Sequence, residues 1–152
     1  MSYIFAVVLI GLLIGLIIFQ RKKNIRLLDE FKNSMLLKDL LDHGYTQVNE
    51  KLTGNHQGYQ TGFYYSEDSR SGLIGYATID CDIPFIKTNG AVKEMMDFSK
   101  KYNSSGFVID SKTGFCKELN VDFLLNSGQG EILKIYKEMV FVAEKEGFTS
   151  SC

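Results

Sequence analysis

Two histidines and three cysteines bound the chemistry open to this chain of 152 residues. A metal centre needs His, Cys or carboxylate ligands that converge on one point. His43 directly precedes Gly44, where an imidazole meets the negative end of a helix, and His56 falls in a turn-forming run at 53–58. The two are not spaced as a ligand pair, so structural places are expected for both. Asp80-Cys81-Asp82 offers two carboxylates and a thiol at a strand end. Acids two apart share a face only while the strand continues, and Pro84 is expected to end it. A nucleophilic thiol needs a histidine and a group to orient it. Cys81 or Cys116 with His56 is the pairing that can be assembled, and no spacing supports it. The cysteines are odd in number and form no Cys-x-x-Cys, which suits reduced thiols, and the terminal Ser-Ser-Cys152 is not a prenylation box. Ser127-Gly128-Gln129-Gly130-Glu131 precedes a helix and could cradle an anion. It lacks the Lys-Ser/Thr of a phosphate loop and the spacing of a dinucleotide fingerprint, so a capping loop is expected. The expectation is therefore no metal, no cofactor and no catalytic set.

Tyrosines are the compositional signal that remains. Tyr59, Tyr64, Tyr65 and Tyr76 cluster in the central strands beside Phe63. Alternation sends Tyr59, Phe63 and Tyr65 to one face of a strand and Tyr64 to the other. Aromatic side chains on an uncovered sheet face mark contact surfaces. Tyr59, Tyr64 and Tyr76 are therefore the candidate partner-binding residues, and a protein partner is expected.

The elements that must hold these residues begin with a membrane segment. Residues 3–19 carry no charge and no strongly polar side chain, and Gln20, Arg21, Lys22, Lys23, Asn24, Ile25 and Arg26 follow. Seventeen residues at ~1.5 Å each span roughly 25 Å, and snorkelling by Arg21 and Lys22 extends that reach towards a ~30 Å bilayer core. A signal peptide would carry a basic start and a small-x-small cleavage site, whereas Gln-Arg-Lys-Lys follows here. An uncleaved anchor at 1–20 is expected. Arg21, Lys22, Lys23 and Arg26 form the membrane-interface cluster, and positive flanks stay cytoplasmic. The expected arrangement is a single-pass protein of a bacterial-type inner membrane, N-terminus outside and C-terminal domain in the cytoplasm. Gly11 and Gly15 form a Gly-x-x-x-Gly, a candidate helix-packing face for a homodimer.

All 18 acidic residues lie after Arg26, and four of the 17 basic ones lie at or before it, leaving 13 against 18 and a net charge of −5 from Leu27 onward. Such a domain is a poor match for a phosphate backbone, so no nucleic-acid partner is expected. The basic patch sits instead where it can meet anionic lipid.

Residues 21–43 read as a basic juxtamembrane segment and stalk helix, continuous with the anchor because no Gly or Pro separates them. Leu28, Phe31, Met35, Leu36 and Leu40 recur at helical spacing, and Gly44 stops the helix. Residues 44–147 read as one α+β domain, and 148–152 as a disordered tail. Within the domain, 45–52, 59–65 and 73–79 read as an antiparallel meander, with Gly62 and Gly75 marking bulges or close packing. Residues 90–102 read as a helix capped by Thr88 or Asn89, its inner face Val92, Met95, Met96, Ser99 and Tyr102. A hairpin over 107–119 turns at Gly114, and 121–125 reads as a short strand. The last helix, 129–146, turns Ile132, Ile135, Tyr136, Met139, Val140 and Ala143 to the core and ends at Gly147. This order gives an antiparallel sheet with helices mainly on one face. The functional expectation is a non-catalytic interaction or adaptor domain tethered to the membrane. The alternatives are a ligand-sensing domain with a pocket between sheet and last helix, or a small membrane-linked hydrolase using Asp80, Asp82 or Cys81.

Overall fold

The computed structural model describes residues 2–49, 51–68, 72–87, 91–110 and 114–151. With no Pro to stop it, and no Gly after Gly15, the N-terminal segment forms one helix, α1 (Ser2–Lys32). Its large apolar side chains over 5–19 are 49–72% exposed, and none of the apolar stretch is buried among the described residues. Contact with the domain begins where the apolar run ends. Gln20 is half-buried, and Asn24, Leu27 and Phe31, three and four residues apart, are buried.

The helix is continuous into the domain, as expected, but only as far as Lys32. It breaks at Asn33 and Ser34, and α2 (Met35–Asp42) restarts it. Ser34 supplies the break: its backbone is extended, its Oγ accepts from the Leu37 N–H at 3.4 Å, and its hydroxyl donates to the Phe31 carbonyl at 2.6 Å. Serine at an N-cap satisfies a free backbone donor, so it can end one helix and begin another without Gly or Pro. The break also rotates the stripe. Leu36, Leu37 and Leu40 are buried, while Met35, expected in the core, is exposed. Gly44 follows the His43 cap with φ +84°, as the sequence implied.

Seven antiparallel strands form the sheet: β1 (Thr46–Val48), β2 (Lys51–His56), β3 (Tyr59–Asp68), β4 (Gly72–Asp82), β5 (Phe107–Asp110), β6 (Gly114–Asn120) and β7 (Thr149–Ser150). Their order is β1-β2-β3-β4-β6-β5, and β7 pairs with the far end of β4. Four local expectations are corrected. Residues 45–52 are two strands, because Asn49 takes a left-handed φ of +57° and turns the chain back on itself. Residues 53–56 belong to β2, and the turn is confined to Gln57-Gly58. Asp80-Cys81-Asp82 stays in β4, with Cys81 opposite Ser150 and Asp82 opposite Thr149. The tail is ordered through Ser150, because Phe148 is 2% exposed and carries Thr149 and Ser150 onto β4.

Helices cover one face of the sheet. Besides α1 and α2 these are α3 (Ala91–Lys101), α4 (Val121–Ser127) and α5 (Glu131–Lys145). The region of α4 reads as a strand in the sequence, but Asn120 caps it, its Oδ1 accepting from the N–H groups of Asp122 and Phe123. On α3 the inner residue is Phe98, tilted against Tyr102 and edge-on to Phe115, while Val92 and Met96 are exposed. The caps expected at Thr88 or Asn89 lie outside the described residues, as does Cys152. On α5 all six expected core residues are buried. Opposite them Phe63, Ala77, Ile79 and Phe115 are fully enclosed. Gly75 allows this closure: a Cβ there would stand 2.7 Å from Phe63 Cζ.

Candidate functional site

The outer sheet face has a different residue pattern. Along β3 the inward side chains are Tyr59, Thr61, Phe63 and Tyr65, leaving Gln60, Gly62, Tyr64 and Ser66 outward. The register then aligns one row across four strands, with Lys51 opposite Tyr64, Tyr64 opposite Tyr76, and Tyr76 opposite Glu118. At its centre the two tyrosine rings stack, centroids 5.0 Å apart and planes 15° apart. The row runs from a cation through two stacked phenols to a carboxylate.

The neighbouring row is Thr53, Gly62, Thr78 and Cys116. Gly62 makes room here. A Cβ would meet Lys51 Cε at 2.7 Å and Thr78 Oγ1 at 2.8 Å, so the lysine stem lies across bare backbone. Thr78 donates to the Gly62 carbonyl at 3.1 Å and fixes the floor. Lys51, Thr53, Gln60, Gly62, Tyr64, Thr78 and Asp80 thus line a groove of about 400 Å³. A second depression, towards Val48, Asn49 and Tyr65, shares Lys51, Thr53 and Tyr64 with it. Aromatic faces, both signs of charge and hydroxyls in one open concavity suit recognition of a polypeptide surface.

Of the expected partner-binding residues, the fold brings Tyr64 and Tyr76 together and separates Tyr59. Tyr59 is 8% exposed on the helix side, and its hydroxyl donates to the Phe148 carbonyl at 3.0 Å. Burial, with Glu144 and Cys81 nearby, pushes its phenol up. Tyr59 holds the C-terminal strand in place, and its grouping with the other two is corrected on that ground. Of the residues expected at a membrane interface, Arg21 and Lys22 are exposed, Lys23 pairs with Asp122 of α4 at 3.5 Å, and Arg26 pairs with Glu30 at 3.3 Å. Gly11 and Gly15 lie on the exposed part of α1 with open space around them.

The other candidates are accounted for by local structure. His43 Nδ1 lies 2.7 Å from the Asp39 carbonyl at the end of α2. His56 faces Tyr136, and burial, followed by the charges of His43 and Lys137, lowers its pKa. The Cys81 thiol is pushed up to about 12 by burial and then by Asp80 and Asp82, so it is protonated at neutral pH and a poor nucleophile. Among the described residues no group of three or more His, Cys, Asp or Glu could hold a metal ion. The glycine-rich loop before α5 is filled from within: the Gly130 N–H donates to Asp39 Oδ2 at 3.0 Å, placing the chain's own carboxylate at the helix start. Between sheet and α5 the space is packed by Tyr136, Met139 and Ala143. An apolar depression of about 560 Å³ lies farther out, between β5 and α5, lined by Tyr102, Phe107, Phe141 and Val142 with Lys134 and Lys137 beside them.

Sequence reading missed Lys51, Thr78 and Glu118, while Gly62 was read as a bulge or a place of close packing. Gly62 was the available signal, as a glycine within a strand of otherwise large residues. Comparison with protein-family models, curated proteins and solved structures returns no match.

Proposed function

We propose that this chain is a membrane-anchored, non-catalytic interaction domain that binds a protein partner on its open sheet face. The observation that carries the reading is the contrast between faces. Helices seal one side, while the other presents a stacked tyrosine pair between Lys51 and Glu118 above a groove. The anchor reading is supported by the bare apolar surface of residues 5–19, which nothing in the fold covers, and by the basic residues beside it. Positive flanks favour a cytoplasmic domain at a bacterial-type inner membrane. A homodimer through Gly11 and Gly15 is compatible with this arrangement.

A photoreactive phenylalanine analogue at Tyr76 tests the reading in cells, with the same analogue at Val92 and Phe141 for comparison. The expected result is a discrete polypeptide adduct from position 76 and none from the other two. Adducts from 141 alone would overturn it in favour of the second reading, a ligand- or partner-sensing site at the depression between β5 and α5. That reading is favoured by the exposed Phe141 ring, 65% accessible beside Phe107.

A further inference from the structure

The domain does not hang on a stalk, and its closeness to the bilayer has a consequence for α4. Phe19 is the last residue of the apolar run and Asn24 is buried against the fold. Five residues of helix advance roughly 7 Å. The headgroup layer of each leaflet is itself about 5–7 Å deep, the difference between total and hydrocarbon thickness shared over two sides. Whatever packs beside Asn24 therefore stands at headgroup depth.

That element is α4. It packs on α1, and Asp122 pairs with Lys23 at 3.5 Å. The pair neutralises the one acid in the first turn of α4, leaving Arg21 and Lys22 to face anionic lipid. Val121 and Leu124 are fully buried and lock the helix to the sheet. The next residue after Asp122 is Phe123, an aromatic side chain 61% exposed whose backbone is held by the Asn120 cap. A large apolar ring left in water beside a membrane exit point costs free energy that the acyl boundary recovers.

We propose that α4 is a membrane foot: Phe123 inserts at the boundary between headgroups and acyl chains and, with α1, sets the domain at a fixed tilt against the lipid. This rests on the anchor reading. It would leave the open sheet face at a defined angle to the membrane rather than free to swing.

The chain has no tryptophan, so single reporters can be introduced. Leu13→Trp, Phe123→Trp and Val92→Trp, each in the full chain, would be placed in phosphatidylcholine–phosphatidylglycerol vesicles with brominated lipids. Val92 is a suitable remote position. It lies on α3, which packs at Phe115, the opposite end of β6 from α4. The expected result is strong quenching of Leu13→Trp by deep bromines, and a blue shift with quenching of Phe123→Trp by bromines near the headgroup. Val92→Trp should keep its emission. If Phe123→Trp resembles Val92→Trp while Leu13→Trp is quenched, the foot is wrong and the anchor stands. If Leu13→Trp is not quenched, the anchor reading fails and the foot falls with it.

Discussion

Both faces of the sheet are made by the same strands, residue alternating with residue, yet they solve different problems. On the helix side Phe63, Ala77, Ile79 and Phe115 are fully enclosed, and Phe31 of α1 stacks on Phe63 with centroids 5.3 Å apart. On the open side the equivalent positions are Tyr64, Tyr76, Gly62 and Thr78, where the two rings stack and Thr78 donates to the Gly62 carbonyl. Enclosed apolar groups contribute a few kcal/mol each, whereas cross-strand surface pairs contribute ~0.2–1 kcal/mol. Residue choice at the half-exposed Tyr64 and Tyr76 is therefore less constrained by stability than on the helix side. A partner on that face would give the aromatic row a role beyond folding.

The sharpest way to break this contrast is at Phe31, which belongs to the long N-terminal helix α1 yet is 1% exposed. Its ring also meets Tyr65 edge-on at 6.3 Å. Phe31→Ala is expected to destabilise the full chain by ~3–5 kcal/mol, as large core deletions do. Denaturant unfolding in micelles, followed by circular dichroism, measures it. A loss below ~1 kcal/mol would mean that α1 rests loosely on the sheet, and the contrast in packing between the two faces would be lost.

The inner face was largely legible in the sequence where segments are long. The 3.6-residue spacing of α5 placed all six core residues, and the alternation of β3 placed Phe63 inside. Short segments defeated the same reading. Val121 to Leu125 is an apolar run too brief for periodicity to tell helix from strand, and the decisive sign was Asn120 followed by an acid at Asp122. On α3 the pattern favoured Val92 and Met96, but the aromatic cluster of Phe98, Tyr102 and Phe115 decides the face. The outer site was half legible. Alternation put Tyr64 outside, but its partner Tyr76 and the flanking Lys51 and Glu118 depend on register, which is set by the turn at Gln57-Gly58 and by pairing across distant strands.

The inner face also holds an uncompensated group, and this sharpens the contrast at an intermediate magnitude. Tyr136 is fully enclosed between the Tyr45 ring at 5.8 Å and His56 at 6.3 Å, and its hydroxyl has no hydrogen-bond partner among the described residues. Burial pushes its phenol well above the usual value, so it stays neutral. A buried hydroxyl without a partner costs ~1–3 kcal/mol. Tyr136→Phe keeps the ring and removes that cost, so it is expected to stabilise the chain by about 1 kcal/mol in the same denaturant experiment. Destabilisation instead would show that the hydroxyl is satisfied, most simply through a water shared with His56 Nε2, which also lacks a partner among the described residues.

The smallest effect is expected on the outer face itself. Tyr64→Ala, Tyr76→Ala and the double variant form a cycle whose coupling energy isolates the stacked pair. Each single change is expected to cost no more than about 1 kcal/mol and the coupling to fall at ~0.2–1 kcal/mol, the range of cross-strand aromatic pairs. The measurement bears on function because stability and binding are separable here. If the row exists for a partner, either single variant should leave the unfolding midpoint nearly unchanged while abolishing the adduct formed from a photoreactive group on the neighbouring Lys51. A coupling of several kcal/mol would place the pair among the structural elements of the fold. The stacked tyrosines would then be explained by packing alone, and the case for a partner on this face would lose its main support.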